Sequence, residues 1–203
     1  MIKKEDIKII HNFISEEEQA EGLRILSTYE LEPWSGNPTV RVVPLFHIDA
    51  LAFVSKQVQN ITAKISKEFG LTKEFFCHDS QIGTWDLGQG SGPHTDTQNA
   101  GYVNYSSILY LTGDYEGGEI EFPEQGIQYK PEARDLIIFP CKNLVHEVYP
   151  VTSGNRSTVV GFYSDVHLSE WRPDYDPETY DPDLKDTRDQ LPNKAMGSIN
   201  EKK

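Results

Sequence analysis

The sequence predicts a mainly β protein in which N-terminal helices brace one face of a β-jelly roll. Two helical patterns occupy the first third of the chain, and from residue 74 onward the pattern changes to short apolar runs. Turn residues separate these runs at short intervals, which is typical of a sandwich or barrel of antiparallel strands. A length of 203 residues suits one domain, or one domain plus a tail.

The first helix is predicted over residues 15–29. Ser15, followed three residues later by Glu18, forms a capping box, and an apolar stripe comes after it. The next segment, 32–48, contains four proline or glycine residues. These residues predict an irregular loop that includes an extended piece at 39–43.

The second helix is predicted from apolar residues that recur at spacings of three and four. They are Leu51, Val54, Val58, Ile61, Ile65 and Phe69. This spacing places them on one face of a helix, which we expect to pack against a sheet, and Gly70 ends it.

Seven strands are predicted in the second half of the chain, with Gly, Pro, Asn and Ser between them. The segments are 74–86, 103–112, 118–122, 126–130, 135–140, 144–150 and 157–166. Together with the helices, they predict one domain over residues 1–168, with helical support at 1–72 and the jelly-roll core at 73–168. Residues 169–203, which are acidic and contain proline, are predicted to form a solvated tail.

The charge and cysteine content limit the class of protein. A net charge of -13 argues against a nucleic-acid partner, which is usually met by a basic face. No apolar stretch is long enough for a membrane span, and the N-terminus lacks an apolar leader. The only two cysteines, Cys77 and Cys141, suit free thiols in a reducing compartment. We therefore expect a cytoplasmic protein with no membrane or nucleic-acid partner.

A candidate metal site begins at His94-Thr95-Asp96. In an extended strand, residues two apart point to the same side, so His94 and Asp96 can bind one ion. The motif is weak by itself, because the chain contains a second copy at His47-Ile48-Asp49. The two copies differ in context, since His94 follows a glycine-rich approach and precedes a succession of strands. A third ligand would complete a two-histidine, one-carboxylate set, which leaves positions open on Fe(II).

His146 and Arg156 are the further candidates, in two neighbouring predicted strands. His146 lies in an alternating stretch, and Arg156 opens the next strand ten residues later, sharing a face with Thr158. An arginine facing a barrel interior stays charged and binds carboxylates through paired hydrogen bonds. It therefore predicts either an anionic ligand or a structural Asp or Glu partner.

The segment from Trp85 to Tyr163 resembles the catalytic core of prolyl hydroxylases of the Fe(II)/2-oxoglutarate-dependent dioxygenase superfamily. The matching pieces occur in the family order over about 80 residues. They are His94-Thr95-Asp96, Ile108-Leu109-Tyr110-Leu111, Gly117-Gly118 with Phe122-Pro123, Asp135-Leu136-Ile137-Ile138-Phe139, His146-Glu147-Val148-Tyr149-Pro150 and Arg156. The His-Glu-Val-x-Pro piece is similar to the oxygen-sensing, peptide-directed branch.

The resemblance implies a double-stranded β-helix, or cupin-like jelly roll, with the site at its mouth. It implies an enzyme that uses Fe(II), 2-oxoglutarate and O2, with ascorbate as an optional addition. Metal binding is carried onto His94, Asp96 and His146, and no catalytic residue is expected beyond this metal centre. Binding of the 2-oxoglutarate carboxylate is carried onto Arg156 and Tyr110, with Thr158 as a helper.

The sequence departs from the family pattern where the substrate is expected. Trp85 replaces a family tyrosine, Phe162 replaces a tryptophan, and Ser91 replaces an aromatic residue. The 32–48 segment corresponds in position to the family's substrate-covering segment, so Trp34, together with Val40 and Arg41, is expected to approach the substrate.

Three functions therefore remain in competition. The first is hydroxylation of prolyl residues in a peptide or protein. The second is a 2-oxoglutarate dioxygenase acting on a free amino acid or another small metabolite. The third is a non-catalytic jelly-roll binding module. The sequence leaves the substrate and the oligomeric state open.

Overall fold

The computed structural model describes residues 2–96 and 103–165 of the chain. It confirms a mainly β fold with bracing N-terminal helices, in which every paired strand is antiparallel. The proposed tail at 169–203 and the domain boundary at residue 168 lie outside the described residues. No helix in the described part is long and apolar enough to cross a membrane.

Both predicted helices are present. Helix α1 spans Glu16–Thr28, and its capping box forms as predicted, with the Ser15 hydroxyl accepting from the Glu18 backbone N–H. Helix α2 spans Ile48–Phe69 and ends at Gly70, which adopts φ +62°. Helix α2 begins three residues before the first residue of the predicted apolar stripe, because the apolar periodicity marks the buried face and not the first turn.

Thirteen strands are found in the described residues. They are β1 Lys8–Ile10, β2 Glu32–Pro33, β3 Val40–Val42, β4 Phe76–Trp85, β5 Ser91–His94, β6 Tyr105–Tyr110, β7 Glu116–Gly117, β8 Ile120–Phe122, β9 Ile127–Tyr129, β10 Leu136–Pro140, β11 His146–Val148, β12 Val151–Ser153 and β13 Ser157–Ser164. Each predicted strand segment contains one of them. The segment 144–150 holds only β11, and Pro150, which has no N–H, separates β11 from β12.

The strands form one large sheet, one smaller sheet and a short two-stranded ribbon. The large sheet has the order β1-β10-β6-β13-β4-β3-β2, and the small sheet has the order β5-β11-β8-β9. Strands β12 and β7 pair at the edge as the ribbon. Neighbours that are distant in sequence, such as β4 and β13, are typical of a jelly roll rather than a simple meander.

Two apolar clusters lie on opposite faces of the large sheet. The outer cluster joins the helices to that sheet and includes Ile25, Ile65 and Leu109. The inner cluster fills the space between the large and small sheets and includes Ile108 and Phe122. The helices thus cover the outer face of the large sheet, while its inner face lines the interior of the jelly roll. Tyr110 and Thr158 lie on this inner face, while His94 and His146 belong to the small sheet opposite.

Candidate metal and co-substrate site

The two candidate histidines face each other across the small sheet. His94 ends β5 and His146 begins β11, and the two residues are directly paired, with ring centroids 4.3 Å apart. Strand β5 can come this close to β11 because Gly90 has no side chain. A Cβ at Gly90 would lie 2.5 Å from the Val148 carbonyl oxygen.

Asp96 completes the cluster. Its Oδ1 lies 3.6 Å from His94 Nε2 and 3.7 Å from His146 Nε2. One ligand atom from each of the three residues falls within 4.8 Å of the other two. The Ser106 hydroxyl, on β6, donates to Asp96 Oδ2 at 2.5 Å. This bond fixes the carboxylate and leaves Oδ1 directed at the imidazole nitrogens.

Hydrogen bonds select the nitrogen that each histidine offers. His94 Nδ1 lies 2.8 Å from the Gly92 carbonyl oxygen, and His146 Nδ1 lies 3.4 Å from the Leu144 carbonyl oxygen. A carbonyl oxygen only accepts, so both Nδ1 atoms carry the proton and both Nε2 atoms keep a free lone pair. These are the nitrogens that face Asp96, as a shared ion requires.

The charge states suit metal binding as well. Burial raises the pKa of Asp96, but hydrogen bonding and the nearby histidines outweigh it, so the pKa falls below its ordinary value. Burial lowers the pKa of His94, whereas the neighbouring Asp96 carboxylate and the hydrogen bond to Gly92 raise it, and the net pKa is raised. Burial also lowers the pKa of His146, and there the net pKa is lowered. An ionised carboxylate and a neutral imidazole are the protonation states that bind a metal ion, and Asp96 and His146 adopt them.

Arg156 lies deep in the interior, away from the histidine pair. It is only 1% exposed. Its Nε donates to the Gly118 carbonyl oxygen at 3.2 Å and its Nη2 donates to the Tyr110 hydroxyl at 3.1 Å. No carboxylate lies within ion-pair distance of it in the described residues, so the structural Asp or Glu partner is not found there. A guanidinium has five N–H donors, and most of these remain available for an anion.

Three side chains with hydroxyl groups lie near Arg156. Tyr110 and Thr158 occupy directly paired positions on β6 and β13, and both are buried. Tyr115 is the one that the sequence analysis missed. Its buried hydroxyl makes no hydrogen bond of good geometry in the described residues, but it interacts with Arg156, and its ring lies beside the Gly118 position that also contacts Arg156. Tyr115 follows β6 in an irregular loop, so no periodicity pointed to it.

The second His-x-Asp motif, at His47 and Asp49, makes structural contacts around the start of α2 and is separate from the metal cluster. His47 precedes α2 and stacks on the Tyr29 ring at 3.8 Å. Asp49 accepts hydrogen bonds from Arg24 at 2.6 Å and from the Tyr29 hydroxyl at 2.7 Å. The Asp49 carboxylate is thus already paired, and the pair forms no three-residue metal cluster among the described residues.

The segment before α2 reaches the same interior. Trp34 stacks on Phe162 of β13, with ring centroids 6.4 Å apart. Val40 is paired with Trp85 and is buried. Arg41 is the neighbour of Val40 in β3, so it points to the opposite face, where its Nη2 donates to the Leu31 carbonyl oxygen.

The donor set fits a divalent metal that keeps open positions. Two neutral imidazole nitrogens and one carboxylate oxygen on one side are the ligands of non-haem Fe(II) oxygenases. The buried, uncompensated Arg156 and the Tyr115 hydroxyl beside it fit an anionic co-substrate at the other end. A jelly roll with these two parts defines the class of non-haem iron oxygenases.

Comparison with known proteins agrees with this class. Residues 80–164 match the sequence model of the 2OG-Fe(II) oxygenase superfamily. This match covers less than half of the chain, and the matched family implies Fe(II), 2-oxoglutarate and O2. No curated protein sequence matches the chain.

Solved structures share the fold at low sequence identity. A 2OG-Fe(II) oxygenase family oxidoreductase from Burkholderia pseudomallei is 19% identical, with a TM-score of 0.69 over 80% of this chain and 86% of that one. A Trichoplax adhaerens prolyl hydroxylase, in complex with a hypoxia inducible factor peptide fragment, is 16% identical, with a TM-score of 0.66 over 85% and 89%. A prolyl-4-hydroxylase from Pseudomonas putida is 19% identical, with a TM-score of 0.59 over 80% and 94%.

Proposed function

We propose that this oxygenase hydroxylates a prolyl residue in a peptide or protein, with Fe(II) bound by His94, Asp96 and His146. We further propose that Arg156 and Tyr110 bind the distal carboxylate of 2-oxoglutarate. Thr158, which is paired with Tyr110 on the neighbouring strand, would contribute a further hydroxyl group. The single observation that carries the proposal is the pairing of a three-ligand cluster with a buried arginine that has no carboxylate of its own within the described chain. The cluster supports metal binding at one place, and the arginine supports binding of the distal carboxylate at another.

The chain's residues have separate tasks in this reaction. When bound, the cofactor set oxidises 2-oxoglutarate to succinate and CO2 and inserts one oxygen atom of O2 into a substrate C–H bond. Ser106 holds the Asp96 carboxylate through its 2.5 Å hydrogen bond. The Gly92 and Leu144 carbonyl oxygens hold the imidazoles with Nε2 directed inward.

The co-substrate end is shielded from water. Arg156 lies against the faces of two aromatic rings, with its guanidinium carbon 5.2 Å from the Trp85 centroid and 5.1 Å from the Tyr110 centroid. These rings hold the guanidinium plane in place and exclude water, which strengthens its attraction for a carboxylate. The interior residues between Arg156 and the mouth, Val160 and Ile108, are apolar.

A prolyl substrate is supported by the aromatic surface near the metal cluster. Phe162 is paired with Ser106, whose hydroxyl contacts Asp96, and Trp34 stacks on the Phe162 ring. Aromatic-lined grooves are a recurrent way to bind proline-rich segments, because the pyrrolidine ring is rigid and apolar. The prolyl hydroxylases among the similar structures add to this support.

Succinate formation by the iron-loaded full chain tests the proposal. We expect 2-oxoglutarate turnover to rise when proline-containing peptides are added, with one oxygen atom added to the peptide by mass spectrometry. His94→Ala should abolish turnover, whereas His47→Ala, in the second His-x-Asp motif, should retain it. Turnover that no peptide raises but a free amino acid does would replace the peptide with a small-molecule substrate. Absence of both turnover and 2-oxoglutarate binding would leave a binding module.

A further inference from the structure

A carboxylate that the metal cluster does not use lies on the same interior face. Asp79 in β4 is paired with Phe162 in β13, and Phe162 is paired with Ser106 in β6. Directly paired residues on antiparallel strands point to the same face. Since the Ser106 hydroxyl contacts Asp96, Asp79 belongs to the transverse row that borders the metal cluster. Adjacent strands are about 4.8 Å apart, so Asp79 lies roughly 10 Å across the sheet from Ser106.

No cation of the described chain neutralises this carboxylate. The described salt bridges leave Asp79 out, and its hydrogen bonding is limited to the backbone N–H of Ser80. Burial raises the pKa of Asp79 to about 6, although the hydrogen bond from the Ser80 backbone acts to lower it. The group is therefore mostly ionised at neutral pH, although its surroundings disfavour the charge. Unpaired charges of this kind are concentrated at binding sites.

A second unsatisfied group lies beside it on the same face. Gln81 is the next inward residue of β4 and is 6% exposed. Its Oε1 atom is buried and has no hydrogen-bond partner in the part of the chain that the structure describes. A buried acceptor without a donor costs free energy, on the order of 1–3 kcal/mol. Asp79 and Gln81 thus place acceptor oxygens at two neighbouring positions on the inner face of β4. A ligand that binds there must supply hydrogen-bond donors.

The interior face is polarised from end to end. Arg156, which immediately precedes β13, and Phe162 in β13 lie six residues apart, which corresponds to about 20 Å in an extended chain. The positive charge of Arg156 is at one end and the negative charge of Asp79, paired with Phe162, is at the other. Apolar Val160 lies between these ends. An anion is attracted to the Arg156 end and repelled from the Asp79 end, while a cation experiences the reverse.

We propose that Asp79, assisted by Gln81, binds a cationic amine or guanidinium of the substrate. The inference rests on the proposed function, because it assigns a role at the substrate end of the same site. The apolar part of the substrate then lies over Phe162 and Trp34, and the C–H bond to be hydroxylated lies towards the metal cluster. Two sources offer this chemistry: a lysine or arginine beside the target residue in a peptide, or the amino group of a free amino acid.

Direct binding tests the inference without turnover. The full chain, loaded with Mn(II) and 2-oxoglutarate, is titrated with matched probes by calorimetry. One pair is a proline-containing peptide with lysine beside the proline and the same peptide with norleucine there. The other pair is L-prolinamide, which is a cation, and N-acetyl-L-prolinamide, which is neutral; they stand for the amino group of a free amino acid. We expect the cationic probe of one pair to bind at least about tenfold more tightly than its neutral partner. The pair that shows this preference identifies the source.

Asp79→Asn should remove the preference and leave 2-oxoglutarate affinity unchanged. Asp86→Asn, an exposed residue just beyond β4, is the matched control and should keep the preference. The inference is overturned if wild-type protein binds neither cationic probe more tightly than its neutral partner, or if Asp79→Asn retains the preference. Succinate formation without added substrate, measured in parallel, reports on the proposed function alone, so the two failures are distinguishable.

Discussion

At the scale of single residues, Arg156 and Asp79 share one property, a charge inside the jelly roll without an opposite charge beside it in the described chain. For Arg156 the local contacts are neutral: a carbonyl oxygen, a hydroxyl and two aromatic rings. Such contacts hold a guanidinium in place but do not cancel its charge. A buried cation kept in this way is ready for an anionic ligand, since its desolvation has already occurred on folding.

Replacing Arg156 with methionine should therefore separate binding from stability. We expect 2-oxoglutarate affinity to fall about 10- to 100-fold, because charge-assisted hydrogen bonds contribute roughly 1.5–3 kcal/mol. Calorimetric titration of the Mn(II)-loaded protein measures this loss. The ligand-free protein should unfold at the same temperature or higher, since an isolated buried charge is removed. Arg24→Met, at an exposed ion pair on α1, should leave affinity unaltered, and equal affinity in both variants would contradict the assignment.

Asp79 should make stability depend on pH in a defined window. The pKa of Asp79 is about 6 in the folded protein and about 3.8 as the ordinary value. The folded state therefore binds more protons between these two values, and the free energy of unfolding falls as pH rises through the window. Below about pH 4 the group is neutral in both states, and above about pH 6 the full cost of the charge is present.

Asp79→Asn should be more stable than wild type at pH 7.5 and equal to it near pH 4. The gain at pH 7.5 is on the order of 1–3 kcal/mol, measured by denaturant unfolding at both pH values. Asp86→Asn serves again as the exposed control. A variant that is less stable than wild type at pH 7.5 would show that the carboxylate has a structural partner. A gain in stability of Asp79→Asn would also show that the variant is folded. A loss of binding by this variant could then not be attributed to misfolding.

At the scale of elements, the turn between β7 and β8 positions Arg156. Gly117 and Gly118 both have positive φ, and the Gly118 carbonyl oxygen accepts from Arg156 Nε. A Cβ at Gly118 would lie 2.8 Å from a ring carbon of Tyr115 and 3.0 Å from Arg156 Cδ. The glycine is thus required both by the left-handed backbone and by the close approach of the arginine.

A comparison of two glycines separates these requirements. Gly118→Ala and Gly126→Ala both place a side chain at positive φ, but nothing lies within 4 Å of a Cβ at Gly126. Both variants should lose about 1–2 kcal/mol of stability for the left-handed backbone. Only Gly118→Ala should also weaken 2-oxoglutarate binding, because it displaces Arg156. Equal 2-oxoglutarate affinities, measured by calorimetry, would mean that the turn does not position the arginine.

Sequence patterns predict the helices of this fold more readily than its short strands. Helix α2 follows from a long apolar periodicity, and α1 follows from a capping box that forms as written. Strands β1, β2, β5, β7 and β12 fall outside the predicted segments, whereas the equally short strands β3, β8, β9 and β11 lie inside them. A strand of two to four residues carries no recognisable period of its own, so it is predicted only where it lies inside a longer strand-like run. The missed strands form because a neighbouring strand supplies hydrogen-bond partners.

At the scale of the whole molecule, the proposed ligands connect parts that fold from distant segments. His94 and His146 lie on the small sheet, while Ser106 and Arg156 lie on the large one. An unfolded chain cannot hold this arrangement, so a metal and 2-oxoglutarate bind the folded state alone. Ligands of this kind raise the stability of the whole fold by mass action.

Ligand addition should therefore raise the unfolding temperature. Mn(II) and 2-oxoglutarate, each at about 100 times its dissociation constant, contribute about 2.7 kcal/mol apiece, and each kcal/mol corresponds to roughly 2–4 °C. Differential scanning fluorimetry measures the shift, and a chelator should reverse it. His94→Ala should show no shift with Mn(II), whereas His47→Ala should behave as wild type. A shift of equal size in His94→Ala would place the metal elsewhere.

The sequence alone determined the class of fold, the two helices, the main strands and the residues of the metal and arginine hypotheses. These depend on patterns that are local: a period of 3.6, a capping box, and short motifs in a set order. The comparisons confirm the fold, and residues 80–164 match the sequence model of the superfamily that the motifs resemble. The prolyl substrate and the ligand roles of individual residues stay predictions for the experiments above.

The tertiary structure decided which of these residues meet. The two His-x-Asp motifs are equivalent in sequence. In the structure, Asp49 is hydrogen-bonded to Arg24 and Tyr29, whereas Asp96, in the turn after β5, faces His146, which lies 50 residues further along the chain. Asp79 and Tyr115 gave no signal at all in the sequence. The physical reason is register: which face a side chain occupies, and which charge lies opposite it, is set by strand pairing between segments far apart in the chain.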